Sequence, residues 1–239
     1  QADYFQTVKG GGHGDYRLIA LAPASVQEMA DFVGLAFDLA FKYRNPAIIL
    51  ADGVIGQMME KVVLPEQRPR LTNEEVMARC PWATFGKLKH RGPNIVTSLE
   101  LDPAEMEKRN IHLQQKYAEI EEKEVRYEEI HCDDAEYLIV AFGSCARIAQ
   151  KAMEEARAEG IKVGLLRPIT LWPFPSKAIA ERSRQVKGIL TVELNAGQMV
   201  EDVRLAVECK VPVEYFGRLG GIVPDPDEVV TALKEKIIK

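Results

Sequence analysis

The chain has 239 residues, 46% hydrophobic, 28% charged and 7% aromatic. This is the composition of a folded α/β protein that can bury a sizeable core without disulfide staples. The 31 basic and 36 acidic residues leave a net charge of −5 with no dense basic block, which excludes the phosphate-neutralising surface of a nucleic-acid binder. No apolar run in the sequence reaches the about 18 residues of a bilayer span, so neither nucleic acid nor membrane is expected as a partner.

The opening QADYFQTVKGGG has neither the pattern of a secretory signal nor that of an Arg-rich transit peptide. It lacks an initiating Met, so the gene is expected to begin upstream of Gln1, and the location expected is cytoplasmic. Residues 17–23, 25–44 and 46–52 then read strand, helix, strand, one βαβ unit. Ser25 followed by Glu28 forms a capping box, and Val26, Met29, Val33, Phe37 and Ala40 keep helical spacing. Residues 53–101 carry repeated Gly and Pro with little periodicity, a long excursion with a domain boundary inside it. Asp102 and Pro103 open a charged helix expected to run to about Tyr127, with Met106, Leu113, Tyr117 and Ile120 on one face as a connector.

From residue 135 the alternation is regular: strands over 135–143, 161–170, 187–195 and 211–217, and helices over 145–160, near 176–185, over 197–209 and from about Asp227 to Ile237. Such alternation predicts a mainly parallel, doubly wound sheet. The expected organisation is an α/β chain of two doubly wound domains, residues 1–95 with the excursion and 132–239, joined by a helical connector over 96–131.

The densest chemical signal is KGGGHGDY over residues 9–16, where four glycines lie within five positions around His13. Glycines let the backbone approach a ligand closely. They precede a strand, whereas a phosphate cradle follows a strand and opens a helix, so the run is not a P-loop, and it lacks the spacing of a dinucleotide fingerprint. His13 is a candidate acid, base or donor to a carboxylate, with an exposed entry loop as the plainer reading. His90, His112 and His131 have no partner at metal-ligand spacing and read as structural or surface residues.

The turn FGSCAR (142–147) follows a strand and opens a helix, where a helix dipole can favour a thiolate, so Cys145 is a candidate nucleophile. Ordinary capping chemistry explains the same turn. ELNAGQM (193–199) is a second strand-to-helix junction, with Asn195, Gly197 and Gln198 as a cap or a contact. The four cysteines form no C-x-x-C pair, so they read as reduced thiols and no metal site is expected in this chain.

Taken in order, GGGHGDYRLIALAPASVQE, AFDLAFKYRNPAIILADG, FGSCARIAQKA, KVGLLRPITLWPFP, VELNAGQM and GRLGGIVPD resemble the α subunit of the 2-oxoacid:ferredoxin oxidoreductases over nearly the whole chain. The QADYFQ and GGGHGDYR wording is most similar to the 3-methyl-2-oxobutanoate (2-ketoisovalerate) branch; 2-oxoglutarate and pyruvate relatives resemble it less. The resemblance implies a thiamine-diphosphate enzyme in which this chain supplies the second half of a pyrimidine-binding domain and a transketolase C-terminal-like domain. It implies magnesium and the diphosphate on a β subunit, and iron–sulfur clusters on partner chains, including a ferredoxin-like and a γ subunit. Ferredoxin is the implied acceptor, coenzyme A the implied co-substrate, and an α–α dimer the implied assembly. Family members carry about a hundred residues before the point matching Gln1, including the glutamate that activates the cofactor, so residues 1–239 are expected to be a C-terminal fragment, inactive alone.

Within that resemblance His13 takes the substrate-facing place of the transketolase-like pre-strand histidine, and Gly12, Gly14 and Asp15 line the loop near thiamine and substrate, with Tyr16 shaping it. The implied reaction is oxidative decarboxylation of a 2-oxoacid to acyl-CoA. A non-catalytic assembly module of such a complex is the alternative. A nicotinamide-dependent dehydrogenase is disfavoured by the missing fingerprint.

Overall fold

The computed structural model describes residues 1–84, 86, 89 and 92–239, so the reading of His90 falls outside the described residues. Two compact units are present: Gln1–Val63 with Leu113–Lys239, and Leu64–His112.

In the first unit, α1 (Tyr4–Val8) precedes β1 (Ile19–Leu21), α2 (Val26–Tyr43) and β2 (Ala47–Ile49), and α3 (Gly53–Gln57) follows. The predicted βαβ unit is there, with β1 and β2 parallel. Ser25 Oγ accepts the Glu28 N–H at 3.1 Å, as the capping spacing requires. The Glu28 carboxylate reaches one residue further back, to the Ala24 N–H at 2.7 Å. Arg44 closes α2 in the left-handed region at φ 46°, the conformation that ends many helices. Phe32, Leu39 and Tyr43 are buried, while Val33, Phe37 and Phe41 are exposed. The apolar positions of α2 therefore occupy two faces, of which the sheet covers one.

The second sheet has the order β3-β5-β4-β7-β8. It is built from β3 (Tyr127–Ile130), β4 (Tyr137–Ala141), β5 (Val163–Pro168), β7 (Ile189–Glu193) and β8 (Val213–Gly217). The last four are mutually parallel, as predicted. Alternation along β4 sends Leu138 and Val140 into one buried cluster and Ile139 and Ala141 into another. That period of two is the signature of a sheet covered on both faces. On the second cluster's face lie α6 (Ser144–Ala158) and α9 (Pro226–Leu233), which runs on into a π-helical end at Lys234–Ile238. Residues of α7 (Ser176–Arg182) and α8 (Met199–Val207) contribute to the other cluster.

Three sequence expectations are corrected. The charged helix α5 (Pro103–Lys123) stops short of Tyr127, because Tyr127–Ile130 pairs antiparallel with β5, Tyr127 opposite Pro168. Glu128 and Glu129 deny this edge strand the apolar run that marks the others, so no strand was expected there. The single strand expected over 161–170 is two: β5 ends at Pro168, and β6 (Thr170–Trp172) leaves to pair antiparallel with β1, giving a sheet of order β2-β1-β6. Helices α1 and α3, five residues each, were not predicted; at that length only tertiary contacts hold a helix.

The unit Leu64–His112 is mostly irregular, as the Gly- and Pro-rich excursion suggested. Its helix α4 (Asn73–Arg79) carries a full capping box, with the Glu75 N–H on Thr72 Oγ1 and the Thr72 N–H on the Glu75 carboxylate. Asp102 caps the start of α5 by accepting the Ala104 N–H at 2.8 Å.

Candidate functional site

The glycine-rich loop leaves α1 at Lys9 and enters β1. Gly10 and Gly14 sit at φ 101° and 92°, the region that an L side chain rarely adopts. The Gly11 N–H donates to Tyr16 Oη at 2.6 Å, and a Cβ on Gly11 would stand 3.3 Å from the Gln6 side chain. The Asp15 carbonyl accepts from Gln114 Nε2 at 3.3 Å. Held at these points, the loop turns Gly12, His13, Gly14 and Asp15 to solvent. The four predicted residues therefore share one open loop, with the imidazole available to a ligand. His112 and His131 are also exposed, remote in sequence from it.

In open α/β sheets the ligand crevice lies where neighbouring strands lead to helices on opposite sides. Here it lies between β4 and β7, at the Gly143–Ser144 and Leu194–Gln198 turns. The chain itself fills this crevice. Asp52, just past β2, accepts the Ser144 N–H at 2.8 Å with Oδ2 and the Ile55 N–H at 3.1 Å with Oδ1. A Cβ on Gly143 would stand 2.6 Å from Asp52 Oδ2, so only glycine admits the carboxylate to the start of α6. Glu193, fully buried, accepts the N–H groups of Gln198, Met199 and Val200 at the start of α8, at 3.2, 2.7 and 2.9 Å. Burial pushes its carboxyl up, against those donors.

Between the two carboxylates lies the N-terminal segment. Gln1 bonds Asp52, the Phe142 carbonyl and the Leu194 N–H through its side chain, and its carbonyl accepts from Asn195 Nδ2. Asn195 Oδ1 also takes the Gly197 N–H at 2.8 Å, so this junction is cap and contact at once.

Cys145 is fully buried. Burial, with Asp52 and Glu193 nearby, pushes its thiol far above the usual range, and the nucleophile reading fails. A helix start favours a thiolate only when no carboxylate has taken that field first. Sequence reasoning missed Asp52, Gln1, Glu193 and Tyr4. Asp52 before Gly53 carries a local cap signal; the others act through partners far away in sequence.

A diphosphate does not fit this crevice, since both helix N-termini that would meet it already hold protein carboxylates. Among the described residues no group of three or more His, Cys, Asp or Glu side chains could hold a metal ion, and no helix is long and apolar enough to cross a membrane.

The fold is that of an α/β chain with a mainly parallel, doubly wound sheet, a second, smaller sheet and an exposed glycine-flanked histidine loop. The family model described as pyruvate flavodoxin/ferredoxin oxidoreductase, thiamine-diphosphate-binding, matches residues 1–130. That of pyruvate:ferredoxin oxidoreductase core domain II matches residues 135–229. The chain belongs to the pyruvate flavodoxin/ferredoxin oxidoreductase family. It is 49% identical to ketoisovalerate oxidoreductase subunit VorB of Methanothermobacter marburgensis over 98% of this chain and 65% of that protein. It is 32% identical to 2-oxoglutarate synthase subunit KorA of the same organism over 98% of this chain and 67% of that protein. Among solved structures it is similar to 2-oxoglutarate:ferredoxin oxidoreductase from Magnetococcus marinus with 2-oxoglutarate, coenzyme A and succinyl-CoA bound, at TM-score 0.76 and 23% identity, over 98% of this chain and 45% of that one. The chain thus spans about two thirds of the ketoisovalerate relative's length.

Proposed function

We propose that this chain is part of the α-type subunit of a 2-oxoacid:ferredoxin oxidoreductase that converts a branched-chain 2-oxoacid, of the 3-methyl-2-oxobutanoate kind, to its acyl-CoA. The observation that carries the reading is 49% identity to a ketoisovalerate subunit across 98% of the chain, against 32% to a 2-oxoglutarate subunit. Thiamine diphosphate, when bound, supplies the carbanion chemistry. Its diphosphate and magnesium are assigned to a β subunit, and iron–sulfur clusters that pass electrons to ferredoxin to partner chains, among them a ferredoxin-like and a γ subunit. The exposed Val33, Phe37 and Phe41 on α2 suit a chain that works inside such an assembly, with a second α subunit and in the cytoplasm.

Within it, His13 faces the substrate and donates to its carboxylate or to the oxygen that gains charge. Gly12 and Gly14 keep side chains out of the way, and Asp15, tied through its carbonyl to Gln114, holds the loop. A preorganised donor of this type contributes about 3 kcal/mol, on the order of 100-fold in turnover. His13→Ala in the complete complex should lower turnover of 3-methyl-2-oxobutanoate by about that factor with subunit assembly intact. Unchanged turnover would return the loop to a surface connection.

A further inference from the structure

Helix α1 has five residues, too few to hold its shape alone, and it leads through Lys9 directly into the glycine loop. Hydrogen bonds from the start of α8 hold it, beside its packing against Phe142. Gln198 Nε2 donates to the Ala2 carbonyl and Gln198 Oε1 accepts the Phe5 N–H, both at 2.8 Å. Four residues later, on the same face of α8, Asp202 Oδ2 accepts from Tyr4 Oη at 2.6 Å, and Asp202 Oδ1 pairs with Lys9 Nζ. The Tyr4 ring is fully buried against Phe142, ring centroids 5.7 Å apart. With Asp52 and Glu193 on the two helix starts, the crevice of the larger sheet holds a segment of its own chain.

We infer that this crevice grips α1 as it would a bound ligand, and that Gln198, Asp202 and Tyr4 are positioning residues that set the stand of the His13 loop. The inference rests on the proposed role of His13. It gives the larger sheet a part in the reaction without any contact to the reacting atoms. Besides the Asp15–Gln114 bond, the loop is anchored at its two ends. One is β1, which lies inside a sheet; the other is Lys9, and Lys9 stands where Asp202 and Tyr4 put it. Releasing α1 frees that second anchor, while the α6 face of the sheet keeps its packing.

The test uses the complete complex with two variants, Gln198→Ala and Tyr4→Phe, the second of which keeps the buried ring and removes only the hydroxyl. Amide hydrogen exchange is followed at Phe5, Thr7, Lys9 and Gly11, whose N–H groups are bonded in the folded chain, with β4 amides as the reference. Each lost bond is expected to speed exchange in α1 and the loop about fivefold, with β4 unchanged, and kcat/KM for the 2-oxoacid to fall with it. The double variant should exceed either single one. Unchanged exchange at Lys9 and Gly11 in both variants overturns the inference, as does faster exchange with unaltered kcat/KM in a complex that His13→Ala inactivates. If His13→Ala is itself fully active, the reading of the site fails instead, and a rise in exchange still establishes the grip on α1.

Discussion

Removing the Asp52 carboxylate is the sharpest probe of the crevice. Asp52 is 6% exposed and takes three donors from three parts of the chain, the N–H groups of Ile55 and Ser144 and the amide of Gln1. Asp52→Ala strands two backbone N–H groups in a closed site. At about 1–3 kcal/mol for each buried donor left unpaired, the expected loss is about 4 kcal/mol. In a chain of this size that lowers the midpoint of thermal unfolding by about 10 °C. Asp52→Asn keeps the shape but turns an NH2 group toward a donor, and should cost about half as much.

The acid limb carries a second signature. Burial pushes this carboxyl up, but the Ser144 and Ile55 N–H groups and the Gln1 amide outweigh burial and hold it below the usual range. The folded chain therefore binds this proton less tightly than the unfolded one. The stabilisation is complete above about pH 4, the ordinary Asp value, and is lost as pH falls through the lowered folded value. Urea unfolding of the two variants and the parent from pH 7 down to about 3 measures both effects. Stability of Asp52→Ala within about 0.5 kcal/mol of the parent would refute the self-filled crevice.

Three more outcomes follow from the geometry. Glu124, 4% exposed, accepts from Lys42, Tyr43 and Arg126 at 2.6, 2.6 and 2.9 Å. Burial opposes ionisation, yet these donors hold its carboxyl at about 2, so its contribution is present above about pH 4.3 and fades as pH falls toward that value. Glu124→Gln should cost about 2 kcal/mol at pH 7 and flatten this part of the acid limb in urea titrations. Arg167 of β5 holds Glu28 of α2 through two bonds of 2.8 and 2.7 Å; Arg167→Met should destabilise the chain by about 3 kcal/mol and Arg167→Lys by roughly half that in thermal unfolding, because lysine cannot form the fork. Iodoacetamide followed by mass spectrometry should label exposed Cys209 in the native chain and spare Cys132 and Cys145. Burial pushes Cys132 up to about 11 and Cys145 higher, so labelling of Cys145 at the rate of Cys209 would reopen the nucleophile reading.

Legibility tracked the range of the interaction that decides each element. Helix α2 was readable because Ser25, Glu28 and the apolar spacing all lie within it, and β4, β5 and β7 because burial on two faces writes a continuous apolar run. Strand β3 was not, since Glu128 and Glu129 interrupt any apolar run and their partners Arg167 and Arg182 lie far along the chain. Strand β6 looked like the tail of β5, because nothing local tells Thr170–Trp172 which sheet to join. In the site, the loop around His13 was visible from its glycines, whereas nothing local decided between the two readings of Cys145, because Asp52 and Glu193 are 93 residues before it and 48 after it.

The amino-acid order alone determined the α/β class, the parallel winding of the larger sheet, the open loop around His13 and the family resemblance, since each is written in local spacing or in contiguous wording. Only the tertiary structure decided that the crevice of that sheet is closed by Asp52, Glu193 and the Gln1–Phe5 segment. A carboxylate becomes a helix cap or a buried latch through the donors that folding brings to it, and those donors come from distant segments of the chain.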